Sequence, residues 1–146
     1  MIYQIKLPFA FAAVFIWIGF VCSISFMEAW LKFKAPGITL PLGLGIGKLV
    51  FNTLNKVEWF LAVIIFLNII FAKYEFISLK NLAYFIPLIT LALQTFWLLP
   101  KLNARADLYI SGQTVPESNI HFIYIILEVM KVICLFIYGF TLIKAE

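Results

Sequence analysis

Charge is what this sequence has least of: eleven Lys or Arg and seven Asp or Glu make 12% of 146 residues, where soluble domains carry about a quarter. With 64% hydrophobic residues and a mean hydropathy of +1.06, that scarcity excludes a water-soluble domain and marks an integral membrane protein, one domain's worth over residues 1–146. Arginine is reduced to Arg105. The other basic residues stand singly between apolar runs, so the net charge of +4 fits lysines meeting lipid headgroups, and no nucleic-acid partner is expected. Histidine is reduced to His121, which excludes a bis-His haem within the chain. Paired Glu-x-x-His motifs, which a di-metal carboxylate site wants, are missing too. No metal and no cofactor is expected. The two cysteines, Cys22 and Cys134, lie in apolar runs without CxxC spacing and read as small packing residues that leave the redox compartment open.

What is present is apolar and long. A helix needs about 20 apolar residues to cross a hydrocarbon core, and four runs reach about that length: 8–27, 48–71, 82–99 and 120–143. The first exceeds the 7–15 apolar residues usual in a signal peptide and has no A-x-A site after it, so it is expected to be retained as a span. Residues 28–47 hold Pro36, Pro41, Gly37, Gly43, Gly45 and Gly47, a density that breaks regular structure. The apolar residues between them predict an amphipathic or re-entrant segment at the interface. The glycine run Gly43-x-Gly45-x-Gly47 is no nucleotide loop, since no soluble strand precedes it and no Lys-Ser/Thr follows. Residues 73–81 turn the chain back. Pro87 should bend the third span. In the polar stretch 101–118, Asn103, Arg105, Asp107 and Tyr109 suggest a short amphipathic helix ended by Gly112, and Ser118 is placed to cap the fourth span. The fold class is all-α: a four-transmembrane-helix, antiparallel up-down bundle.

The polar residues within these runs are what point to function. In the fourth, His121, Tyr124, Glu128 and Lys131 fall within roughly 80° of one another at 100° per residue. In the second, Lys48, Asn52, Asn55 and Glu58 keep within roughly 120°. In the third, Thr90, Gln94, Trp97 and Lys101 share a face by α-helical spacing. A charge facing lipid costs at least ~2.5–3.5 kcal/mol, so such groups should turn into a bundle or a wet cavity, and they mark binding or proton sites. In an up-down bundle Glu28, Lys48 to Glu58, Gln94, Asn103, Arg105, His121, Tyr124, Glu128 and Lys131 all lie toward one side of the membrane. They are the candidates for a cavity, with Lys56 and Lys131 read as intramembrane and Asn52, Asn55 and His121 as a vestibule. The competing reading is a Glu128–Lys131 pair at i, i+3 that merely fixes helix register.

Two resemblances follow from particular residues. Lys32-Phe33-x-Ala35-Pro36-Gly37 leading to Gly47-Lys48-Leu49-Val50-Phe51 and Asn55-x-x-Glu58, with Leu99-Pro100-x-Leu102-Asn103-x-Arg105-Ala106, Gly112, Ser118, His121, Tyr124, Glu128 and Lys131, resembles small four-span bacterial membrane proteins of unknown function. It is more distantly similar to the eukaryotic transmembrane protein 205 group. That resemblance covers most of the chain and implies a plasma-membrane four-helix protein without bringing catalytic residues. Asn55-x-x-Glu58 early in the second span is also similar to the membrane-associated eicosanoid and glutathione metabolism family, whose trimers hold glutathione between subunits. That family has an arginine before the Asn-x-x-Glu element and further arginines after span three. Here Lys48 is a partial substitute at best, since arginine's bidentate fork is what grips carboxylates.

The expected function is a multi-pass protein of the cell (inner) membrane, with both termini on one side and a one-sided polar cavity. It would bind or transport a small polar or amphipathic solute, with Glu58, Glu128 and His121 coupling to protons. Its partners would be the bilayer and a second copy or another membrane protein. A basic-residue count of four against five does not decide the orientation, and the two longer loops are read as cytoplasmic. The alternatives are a membrane-embedded enzyme on a lipophilic, thiol or quinone substrate, and an accessory subunit of a membrane complex.

Overall fold

A computed structural model describes residues 3–72 and 79–145. Four helices long and apolar enough to span a membrane, Pro8–Lys34, Leu40–Phe71, Ala83–Ile110 and Ile120–Thr141, form an all-α bundle. Each packs against two neighbours, one against two and four, three against two and four. A two-stranded antiparallel ladder pairs β1 (Tyr3–Ile5) with β2 (Ile143–Ala145), Gln4 opposite Lys144.

The amphipathic or re-entrant segment expected over residues 28–47 does not form as a separate element, because both flanking spans extend into it. The first runs on through a π-helical stretch, Cys22–Glu28, one α-turn, Ala29–Leu31, and a 3-10 turn, Lys32–Lys34. The second starts at Leu40, where the Thr39 hydroxyl accepts the Leu42 N–H at 3.4 Å. Pro41 sits in that first turn, where a missing N–H costs nothing. Only residues 35–39 remain as a connection, and Gly37 makes its turn at φ +81. Gly43 instead serves close packing: a Cβ there would overlap the Phe33 ring. A glycine can mean a turn or a tight contact, and only the tertiary partner decides which.

The third span likewise continues past its expected end. Leu79–Leu93, a π-helical Gln94–Leu98 and Leu99–Ile110 follow one another without a break. The amphipathic helix predicted after Pro100 is therefore the last three turns of the span. Gly112, at φ +72, lies just beyond its end. Asn119 occupies the cap of the fourth span, and Ser118, one residue earlier, accepts the Ile120 N–H at 3.3 Å. Of the turn predicted at 73–81, Lys73 and Glu75 lie outside the described residues.

The half of the bundle nearer the ladder is hydrocarbon. Leu7, Ala10, Ala13, Val14, Ile65, Ile69, Tyr84, Leu135 and Tyr138 form one core. Its few polar contacts satisfy backbone groups: Asn68 Oδ1 accepts the first-turn Ala10 N–H at 3.0 Å, and the Tyr84 hydroxyl donates to the Ala62 carbonyl at 2.8 Å. Gly139 lets the fourth span approach the first so closely that a Cβ would meet Phe15 and Val14 at 3.1–3.2 Å. Without a hydrophobic force between helices in lipid, such small-residue contacts carry the packing.

Candidate functional site

Above that core the inward faces turn polar, because the periodicities of the second and fourth spans aim their ionisable residues at one another. The inward series of the fourth span is Tyr124, Glu128, Lys131, Leu135 and Tyr138. That of the second is Leu54, Asn55, Glu58, Leu61, Ala62 and Ile65. Glu58, Glu128, Lys131 and Gln94 are all 0% exposed. Lys131 Nζ donates to Glu58 Oε1 and, at 3.2 Å, to Glu128 Oε1. Trp17 Nε1 donates to Glu58 Oε1 at 2.8 Å, and Gln94 Nε2 to Glu128 Oε1 at 2.8 Å. All four spans thus contribute one or two groups to a single cluster.

The cluster lies nearer the middle of the bundle than the end the sequence suggested. Because the second helix begins at Leu40, Glu58 sits about 27 Å from its start and about 20 Å from its end at 1.5 Å per residue. Removing each ion from water costs several kcal/mol, offset only by good geometry and further hydrogen bonds. Here one oxygen of each carboxylate is well served and the other is not. Glu58 Oε2, Glu128 Oε2 and Gln94 Oε1 are buried without a hydrogen-bond partner among the described residues. Buried acceptors left this way are scarce in native proteins.

Toward the loops a second polar layer closes the bundle. Asn52 and Asn103 exchange side-chain amide hydrogen bonds at 3.1 and 3.4 Å, and Asn52 also donates to the Lys48 carbonyl at 2.6 Å. Thr95 Oγ1 accepts from both Asn55 Nδ2 and Trp59 Nε1 at 2.9 Å, while donating to the Leu91 carbonyl. Outermost, Lys48 bridges both oxygens of Asp107 at 2.7 Å.

Beside these layers is a cavity of about 320 Å³. Its walls are apolar, among them Phe33, Leu44, Phe51, Leu99 and Leu102, and its polar lining is Lys32, Lys48, Asn103, His121 and Tyr124. Phe51 meets Tyr124 edge-on at 5.6 Å. Tyr124 is buried, lines the cavity and lies one turn from Glu128 on the same face. Its hydroxyl is buried without a hydrogen-bond partner among the described residues.

The candidates therefore separate. Glu58, Gln94, Glu128 and Lys131 come together in the core, and Lys48, Asn103, His121 and Tyr124 line the cavity. Asn52 and Asn55 are bonded between helices and do not line it. Glu28 reaches it only by pairing with Lys32 at 3.1 Å. Arg105 leaves the interior altogether, donating to the Pro116 carbonyl at 2.7 Å. Lys56, expected within the membrane cluster, is exposed and stays out of it. Among the described residues no three His, Cys, Asp or Glu side chains gather as a metal site would require, and Cys22 and Cys134 are free thiols.

Two members escaped sequence reasoning. Trp17 stands mid-span, away from the interfacial belts that tryptophan favours, and a buried indole N–H needs an acceptor; that displacement was the signal. Lys32 reads as a headgroup lysine, yet its side chain is 91% buried, its ammonium 5.4 Å from the Phe33 ring centre and 5.7 Å from that of Phe51. Comparison with protein-family models, curated proteins and solved structures finds no match to this chain.

Proposed function

We propose that this protein binds or moves a small amphipathic solute through the cavity, with occupancy coupled to a proton held by Glu58, Lys131 and Glu128. The carrying observation is a charge count. Two carboxylates face one ammonium, all fully buried, so ionising both acids would leave a net negative charge in a low-dielectric interior. One proton shared between the acids restores neutrality and turns an orphan carboxylate oxygen into a donor. Because such a charge is costly in lipid, a cluster that can be neutral or negative is suited to respond to what enters beside it. Tyr124, in the cavity wall one helical turn from Glu128, is the side chain through which it would respond.

The setting is the cell (inner) membrane, with both termini on one side, and the resemblance to small four-span membrane proteins is consistent with it. The glutathione-type alternative gains nothing from the geometry, since Asn55 is engaged by Thr95, Glu58 by Trp17 and Lys131, and Arg105 by a loop carbonyl.

Calorimetry of the purified protein in neutral maltoside micelles, in two buffers of different ionisation enthalpy, tests the coupling. An eight-carbon series of octanoate, octyl phosphate, octanol and octyltrimethylammonium serves as probe, with blank micelles subtracted. At least one member should bind with proton exchange in the wild type and without it in the folded Glu58→Gln/Glu128→Gln variant. Equal proton exchange in both proteins sinks the coupling.

A further inference from the structure

The cavity differs from the buried cluster in the sign of its charge, since its ionisable side chains are basic. Its charged lining residues are Lys32 and Lys48, joined by His121, and among the described residues no Asp or Glu lines it. The Lys32 ammonium presses on Gly47, 3.1 Å from where a Cβ would stand, so it lies beside the residue that precedes Lys48. Each ammonium has three donors. Lys32 gives one hydrogen bond, to Glu28, and Lys48 bonds the two oxygens of Asp107. Those carboxylates stand outside the lining and are partly exposed, with Glu28 at 26% and Asp107 at 57%. An anion in the cavity competes with acids that water can readily solvate.

The remaining walls are aromatic and aliphatic, so the occupant needs an apolar body behind an anionic head. Size narrows it further: at roughly 30 Å³ for each water-sized group, the cavity holds about ten. A single chain of about eight carbons with its headgroup fits, and a two-chain phospholipid does not. We infer that the cavity is a binding site for a single-chain amphiphilic anion, a medium-chain carboxylate or monophosphate ester, with its head between Lys32 and Lys48 and its chain against Phe33, Leu44, Phe51 and Leu102. This names the solute class of the function proposed above and rests on that reading for its role, while the binding itself can be tested alone.

The test is photo-crosslinking in nanodiscs of zwitterionic lipid, with an eight-carbon carboxylate carrying a diazirine at its tail. Adducts should fall on peptides holding Phe33, Leu44, Phe51 or Leu102, and octanoate and octyl phosphate should compete at least tenfold better than octanol or octyltrimethylammonium. Lys48→Met should weaken labelling severalfold. Ala106→Phe, which fills the cavity without touching a charge, should abolish it. Normal insertion and elution of that variant separate loss of the site from loss of the fold. The proposal fails if the uncharged or cationic probes compete equally, if labelling is spread around the lipid belt and indifferent to Ala106→Phe, or if only phosphatidylglycerol competes. Labelling retained in Glu58→Gln/Glu128→Gln, together with unchanged proton exchange, would keep the anion site and remove the coupling. Proton-coupled binding of octanol alone would do the reverse.

Discussion

Replacing Lys131 by Met isolates the energetics on which the bundle depends. Among the described residues the ammonium is the only cation bonded to Glu58 and Glu128, and all three side chains are fully buried. Methionine has similar length, so packing survives while two carboxylates lose their compensation. Glu58 keeps the Trp17 indole and Glu128 keeps the Gln94 amide, neither of which carries charge. Breaking a buried ion pair from one side costs about 3–5 kcal/mol, a shift of two to nearly four decades in the folding equilibrium at about 1.4 kcal/mol per decade. Removing all three ionisable groups, as Lys131→Met/Glu58→Gln/Glu128→Gln, leaves no ion to desolvate and should recover most of that loss. Acidification should narrow the gap for the single variant alone, because a protonated carboxyl has no charge to strand. Reversible unfolding in mixed micelles, titrated with dodecyl sulfate and read by tryptophan fluorescence, measures all three proteins. A single variant within about 1 kcal/mol of wild type, or a triple variant no more stable than the single, would refute the placement of these charges in a dry core.

Trp17→Phe keeps an aromatic ring and removes the donor to Glu58; the same unfolding titration should show a loss of about 1–3 kcal/mol, which disappears in a Glu58→Leu background where no acceptor remains. Gly139→Leu forces a side chain into Phe15 and Val14 and should cost about 1–3 kcal/mol, with the thermal midpoint falling and the far-ultraviolet spectrum unchanged. A double-mutant cycle of Asn52→Leu and Asn103→Leu should return a coupling near 0.6 kcal/mol, the usual value for interhelical hydrogen bonds in lipid. Lys56→Gln, at an exposed position, should leave stability within about 0.5 kcal/mol of wild type.

Some of this was legible in the residues themselves. Four runs of apolar residues demanded four helices, and the cost of a charge in lipid demanded that Glu58, Glu128 and Lys131 face inward together. Their partners were less legible. Trp17 sits in a run with no charged side chain, where an indole looks like one more apolar side chain until a carboxylate is placed opposite. Lys32 lay in what read as a loop, because Pro36, Gly37, Pro41 and Gly43 are compatible both with irregular chain and with a sharp turn between two long helices. The second helix gains two extra turns from Leu40 to Gly47, and those turns build one wall of the cavity.

The division of candidates between cavity and surface follows from a change of helical phase that spacing arguments assume away. Counting at 3.6 residues per turn carries the inward face of the third span from Gln94 to Trp97, Lys101 and Arg105. The π-helical turn at Gln94–Leu98 inserts one extra residue, so the buried positions after Gln94 are Leu98, Leu99 and Ala106, while Trp97 is 46% exposed. The slip carries Asn103 into the cavity lining and Arg105 out to Pro116. The same slip occurs in the first span, where the π-helical Cys22–Glu28 brings Ala29 and Lys32 to the cavity in place of Glu28. Both insertions lie on the loop side of the buried cluster, and π-turns concentrate at functional sites because they sacrifice regular hydrogen bonding. These two turns, in the first and third spans, exchange an arginine and a glutamate for an asparagine and a lysine along the walls. The cavity's polarity is therefore set by backbone phase as much as by residue choice. Deleting one residue within Gln94–Leu98 should remove the extra residue and the π-turn together, so that an unbroken α-helix keeps Asn103 in the lining and Arg105 outside. Cysteine accessibility at those two positions should then match that of the full-length helix, and an exchange of accessibility between them would show that the π-turn does not account for the phase of the site.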